Sequence, residues 1–241
     1  MITVFDVDAT KTLPLSEELG VKAVAQLEDA VTSETSVVIL AVKPQIMGPV
    51  LDALAPRVHS ELLLVSIAAG VSINFILSRL LTPARVIRVM PNAGAMVGES
   101  ASALCKGGLA DDSDLQMAMD LFSAVGTAVV VDEKMMNAVT ALSGSGPGYL
   151  FVVMEAMTDG AVAMGMDRPT ARALTIQTMM AAAKMARSGT PAFSELKDRI
   201  TSPGGTTIAG LKALERAGLR GIFMDAIEAA TKRGYELDAA K

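Results

Sequence analysis

The chain has 241 residues, of which 51% are hydrophobic and 20% charged, and its net charge is −5. That length allows one large domain or two ordinary ones, and the apolar fraction supports a sizeable core, so a disordered chain is excluded. Residues 1–132 carry 8 basic and 15 acidic side chains and residues 133–241 carry 13 and 11, so neither half is a basic footprint for nucleic acid.

Residues 62–73 form the longest strongly apolar stretch, well short of the roughly 20 residues that span a bilayer. No secretory signal pattern opens the chain. The single cysteine, Cys105, excludes an internal disulfide and points to a reducing, cytoplasmic setting. A metal cluster is poorly supported, because there is one histidine and no HxxxH or CxxC spacing. That histidine, His59, lies in a polar connection and reads as a surface residue rather than a catalytic base.

In chain order, residues 2–5 read as a short strand. Residues 37–42 (VVILAV) are a continuous apolar run, as in a strand buried on both faces. Pro44 then opens a helix to residue 54. Residues 62–69 are a second apolar strand, after which Ser72 caps a helix to about residue 80. Strands are expected at 85–90, 102–106 and 128–131, with a helix at 112–124. The alternation predicts an α/β fold with a mostly parallel sheet. Beyond Asp132 the pattern is helical and rich in Ala and Met. The domains are therefore 1–132 and 133–241, the second all-α. Its segment 170–186 is apolar almost all round, which suggests burial against a partner subunit. Glu155 and Asp159, four apart, read as a solvated stripe rather than an acid–base pair.

Three strands end in small or polar residues: Ala41-Val42-Lys43-Pro44, Ala68-Ala69-Gly70 and Met90-Pro91-Asn92. In an open parallel sheet, ligands bind at these carboxyl ends, and small residues let a flat ring approach. The more specific stretch is Thr201-Ser202-Pro203-Gly204-Gly205-Thr206-Thr207, running into a helical period at Ile208, Leu211 and Leu214. A Gly-Gly turn opening a helix suits a carboxylate or phosphate, and three hydroxyls exceed what capping needs. The GSGPG segment (144–148) lacks the spacing and strand context of a phosphate loop and reads as a helix break with close backbone packing.

With these residues in view, the sequence resembles the pyrroline-5-carboxylate reductases. The resemblance rests on VVILAVKPQ (37–45), SIAAGVSI (66–73), RVMPN (88–92), LFSAVG (121–126), AVTALSGSGPGY (138–149) and DRITSPGGTTIAGL (198–211). It implies a Rossmann-type domain followed by a helical dimerisation domain, with a homodimer or a larger ring. It also implies reduction of 1-pyrroline-5-carboxylate to L-proline, the last step of proline synthesis, with NADPH or NADH. By this resemblance Thr207 would hydrogen-bond the ring nitrogen, and Ser202, Gly205 and Thr206 would hold the substrate carboxylate. Glu133 would lie near the substrate. Ala41, Val42, Lys43, Pro44 and Ala69 would line the cofactor, with Asn92 at its nicotinamide end. The scarcity of acid–base candidates suits this chemistry, since a protonated imine needs orientation more than a proton donor.

Against the family pattern, the first strand and its Gly-rich loop are missing, so residues 2–5 match the family's second strand. This leads to the expectation that the chain is a poor reductase. Val7 and Asp8 stand where the family carries residues that hold the 2′-phosphate of NADP, so a bias toward NADH is expected. Two other readings compete: a hydroxyacid-dehydrogenase-like enzyme with Lys134 and Asn137 as acid–base pair, and a catalytically impaired oligomeric remnant.

Overall fold

The computed structural model describes residues 1–189 and 191–239. Among them two compact units are formed, residues 1–144 with 231–239, and residues from 145 to 230.

The first unit carries two sheets. β1 (Thr3–Val4) pairs in parallel with β2 (Lys22–Ala23). β3 (Val37–Leu40), β4 (Leu63–Ser66), β5 (Arg85–Met90), β6 (Ser100–Gly108) and β7 (Gly126–Val130) form the second sheet in that order. All pairs are parallel except β5 with β6. The mostly parallel α/β expectation therefore holds. The expected strands are present, β3 and β4 shorter than read from sequence, β6 and β7 displaced or extended by a few residues. Residues 2–5 find a partner in β2, a strand the sequence pattern did not reveal. α1 (Ala9–Leu19) links the two, and a four-residue α2 (Leu27–Ala30) follows β2. It was hidden because Pro14 lies inside it, where proline removes a helix hydrogen bond.

β4 is the centre of the core: Leu63, Leu64, Val65 and Ser66 are all buried. α3 (Met47–Leu54) and α4 (Ile73–Ser78) cover one face with Met47, Leu51, Leu54 and Ile76. α5 (Asp112–Ser123) covers the other with Ala118, Leu115 and Phe122. β3 differs from β4. Its apolar sequence suits burial on both faces, yet Ile39 is 48% exposed and β3 pairs with β4 alone. β1 likewise pairs only with β2, so each sheet ends in a parallel edge strand.

Helix starts follow the expected chemistry. Ser72 accepts from the Phe75 amide at 3.0 Å. Asp111 closes a capping box with Asp114 on α5. Asp8 caps α1. Pro44 opens a 3₁₀ turn (Pro44–Ile46) that runs into α3.

After a short α6 (Met136–Val139), residues Thr140–Gly144 form a π-helical turn. At Gly144 a Cβ would lie 2.7 Å from Met90 Cε, so the expected close packing holds there. Nothing approaches Gly146 or Gly148 within 4 Å.

The second unit holds α7 (Gly146–Ala163), α8 (Arg168–Arg187), α9 (Phe193–Arg199), α10 (Thr206–Arg216) and the start of α11 (Leu219–Ala239). Within it α7 and α8 are joined by the buried Thr158 and Thr175 hydroxyls, 3.3 Å apart. Much of its apolar surface is open: Phe151 is 66% and Phe193 81% exposed, and Leu174 and Met224 are also exposed. Asp159 pairs with Arg168 at 2.7 Å and Glu155 is exposed, as a solvated stripe requires. Among the described residues no helix is long and apolar enough to cross a membrane.

Candidate active site

In the first unit, the carboxyl ends of the parallel strands gather the residues expected to meet a cofactor. β3 runs out at Leu40, leaving Ala41 and Lys43 exposed and Val42 and Pro44 half-buried. The Lys43 carbonyl accepts from the Ile46 amide at 3.1 Å, which turns the chain sharply into α3. Lys43 makes no ion pair among the described residues. β4 leads to Ala68, the exposed Ala69, and Gly70, whose φ of 64° turns the chain toward α4. A small side chain at position 69 leaves the strand end open to a flat ring.

Asn92 follows β5, but its side chain is committed within the fold. Its Oδ1 accepts from the amides of Gly94 (3.0 Å) and Ala101 (3.2 Å), and its Nδ2 donates to the Ser143 carbonyl (2.9 Å). Its backbone is engaged as well, the amide donating to Ser100 Oγ at 3.3 Å and the carbonyl accepting from the Ala95 amide at 3.1 Å, so one Nδ2–H is what Asn92 has left to offer a cofactor.

At the end of β1, Asp8 accepts from the Thr10 hydroxyl at 2.6 Å and the Thr10 amide at 3.1 Å. These bonds hold its carboxyl below the usual range, the hydroxyl contributing most. Asp6 and Asp8 share one cation, Lys11, at 3.4 and 3.8 Å. The strand end thus presents two carboxylates against one ammonium.

Glu133 lies in a turn (Glu133–Met135) after β7. Its Oε1 accepts from Arg88 Nη1 at 3.1 Å and from the Ile73 amide at 2.7 Å. Arg88 stands mid-strand in β5, its side chain only 6% exposed. The sequence reading assigned Arg88 no role. A charge inside RVIRVM was the available signal, because a buried guanidinium demands a carboxylate. Beside this pair, Cys105 faces Arg88 across the β5–β6 register. Burial, and then the Glu133 charge, push its thiol up to about 12, against the opposing charge of Arg88. Native protein should therefore leave Cys105 unmodified by a thiol reagent at pH 8, with full reaction only after unfolding, as a colorimetric thiol assay would show.

Two other candidates fall away on geometry. Asn137 is buried and donates to Asp238 Oδ2 at 2.8 Å, while Lys134 is exposed and pairs with Asp132 at 3.2 Å. They do not form an acid–base pair. His59 precedes β4, at the amino end of the sheet, opposite the strand ends described above.

In the second unit, Ser202-Pro203-Gly204-Gly205 form a tight turn into α10, with the Gly205 amide donating to the Ser202 carbonyl at 3.1 Å. Gly204 has φ 66°, a left-handed conformation that favours glycine. Gly205 is the N-cap of α10 and supplies no side-chain cap. The first intrahelical bond runs from the Ala209 amide to the Gly205 carbonyl. The amides of Thr206, Thr207 and Ile208 therefore lack helical acceptors. The hydroxyls of Ser202, Thr206 and Thr207 make no hydrogen bond to any described residue. Three free amides, the positive end of a helix dipole and three hydroxyls around one turn make a receptor for a carboxylate. At Gly205 an added Cβ would meet Ser202 Oγ at 2.4 Å. Gly205→Ala should push that hydroxyl aside and raise KM for an anionic substrate several-fold with little change in melting temperature, measured by steady-state kinetics and calorimetry.

Residues 133–237 match the family described as pyrroline-5-carboxylate reductase dimerisation, and residues 1–70 match one described as NADP oxidoreductase, coenzyme F420-dependent. A pyrroline-5-carboxylate reductase of Methanosarcina acetivorans is 49% identical over 92% of this chain and 82% of its own length. The chain belongs to the pyrroline-5-carboxylate reductase family. The pea enzyme, from Pisum sativum, is 42% identical over 92% of this chain and 80% of its own. Among solved structures, the family member from Coxiella burnetii superposes with a TM-score of 0.93 at 34% identity, covering 98% of this chain and 88% of that one. The Plasmodium falciparum member, solved with NADP bound, gives 0.84 at 26% identity, covering 98% and 97%.

Membership in this family implies a nicotinamide dinucleotide, and the residues fit it unevenly. The small strand-end residues at 41 and 69 suit a nicotinamide ring, and the acidic end of β1 suits a ribose hydroxyl. The turn from β1 into α1 (residues 5–8) has no glycine, and among the described residues no glycine-rich strand-to-helix turn cradles a pyrophosphate.

Proposed function

We propose that this chain reduces 1-pyrroline-5-carboxylate to L-proline with NADH or NADPH, in the last step of proline synthesis, in the cytoplasm. The observation that carries the reading is the uncapped start of α10, with its unpartnered hydroxyls. The substrate is a five-membered ring bearing one carboxylate and one C=N bond. Its carboxylate binds the amides of Thr206, Thr207 and Ile208, assisted by Ser202. The protonated ring nitrogen donates to the Thr207 hydroxyl oxygen, which fixes the plane of the C=N bond. The dinucleotide supplies the hydride. That hydride adds to the imine carbon, the π electrons pass to nitrogen, and the product is a secondary amine. No side chain need donate a proton to the reacting centre, so the fold's lack of an acid–base pair is no obstacle. Orientation carries the rate.

The exposed apolar surface of the second unit supports a homodimer through its helices, and a larger ring built from such dimers. The test is direct. Purified protein incubated with NADH and pyrroline-5-carboxylate should form proline, detected by mass spectrometry, and should run at no less than twice 25.0 kDa in light scattering. The unpaired edges of β1 and β3 keep a second reading in play, an oligomer with impaired catalysis. A stable dimer that neither binds NADH nor forms proline would favour that reading.

A further inference from the structure

We propose that Arg88 and Glu133 are positioning residues that hold the turn between β4 and α4 against the nicotinamide end of the dinucleotide. This rests on the reductase reading above. α4 begins at Ile73, three residues after Gly70, which with the exposed Ala69 follows the end of β4. With six residues it is too short to fix its own first turn. Two side chains do so from outside. Ser72 Oγ accepts from the Phe75 amide, and Glu133 Oε1 accepts from the Ile73 amide at 2.7 Å. Glu133 reaches this point from a turn 60 residues further along the chain. It is held there by Arg88, whose guanidinium is buried in the strand that leads to Pro91 and Asn92.

The arrangement is costly for a purely structural part. Removing a guanidinium from water gains little net stability over apolar side chains of the same volume. What it provides is a fixed place: a carboxylate whose position is set by the β5 strand and which in turn sets the backbone following Gly70. Both ends of the proposed ring site, the β4 turn and the end of β5, are thereby referred to one ion pair. The family resemblance would have Glu133 near the substrate. The geometry assigns its Oε1 a positioning duty, since that oxygen serves two donors within the fold.

The experiment compares wild type with Glu133→Ala and Glu133→Gln. Glu133→Ala should raise KM for NADH roughly tenfold, the worth of one charge-assisted hydrogen bond. It should leave KM for pyrroline-5-carboxylate within about twofold, and it should speed hydrogen exchange at the Ile73 amide. Glu133→Gln keeps an acceptor oxygen and should recover most of both effects. If Glu133→Ala does not fold, Arg88→Met with Glu133→Met removes both charges and should show the same split. A rise confined to KM for pyrroline-5-carboxylate would overturn the proposal by making Glu133 a substrate contact. Unchanged exchange at Ile73 would overturn it as well. Wild-type protein without turnover sinks the reductase reading instead, and exchange at Ile73, with NADH binding followed by fluorescence, then decides the positioning role.

Discussion

Thr207→Val should lower kcat/KM for pyrroline-5-carboxylate by roughly 10²-fold, the typical loss when one preorganised hydrogen bond to a reacting group is removed. Valine matches threonine in shape and is tolerated at the second position of a helix, so α10 should still start at Thr206. The free amides of residues 206–208 remain, so carboxylate binding survives and the loss should fall mainly on kcat. Ser202→Ala makes the contrasting case: its hydroxyl serves the carboxylate, so KM should rise and kcat stay close to wild type. Stopped-flow measurement of NADH oxidation separates the two. An unchanged kcat in Thr207→Val would remove the hydroxyl from the reaction and with it the proposed orientation of the imine.

NADH should bind about tenfold more tightly than NADPH, measured by fluorescence titration at low ionic strength. The reason lies at the end of β1. Asp6 and Asp8 stand there with Lys11 as their shared cation, leaving one excess negative charge. A 2′-phosphate brings about two more, whereas a free 2′-hydroxyl can donate to a carboxylate. Asp8 is held ionised by the Thr10 hydroxyl and amide, so lowering pH toward 5 should ease the repulsion only through protonation of the 2′-phosphate, whose second pKa is about 6. The preference should shrink as salt is added, because these groups are exposed. Val7→Arg with Asp8→Ser should reverse it. Serine still caps α1, so the change tests charge rather than folding. A lower Kd for NADPH in wild type would contradict the argument.

Much of the α/β half was legible because buried parallel strands are written as unbroken apolar runs. VVIL and LLVS stand out from any neighbouring pattern. Ser72 and Pro44 were readable for a local reason too, since capping and helix entry involve only adjacent residues. α1 and β2 were not legible. Pro14 interrupts the helical signal, and a strand of two residues has no period to detect. The candidate anion site was readable because a Gly-Gly turn followed by a helical period is a local pattern.

What residues 201–208 would offer a ligand was thus legible in sequence alone: a Gly-Gly turn, free amides at a helix start and spare hydroxyls lie within eight consecutive positions. Tertiary structure alone decided what distant residues do. Asn92, expected at the nicotinamide end of the cofactor, is tied through its amide to Ser143, and Asn137, weighed as half of an acid–base pair, is bound to Asp238. Glu133 looked like a substrate contact, and its carboxylate is engaged by Arg88 and the Ile73 amide. The physical reason is common to all three. A polar side chain's function depends on which of its hydrogen-bonding atoms remain unspent, and partners 45 to 101 residues away leave no trace in local spacing.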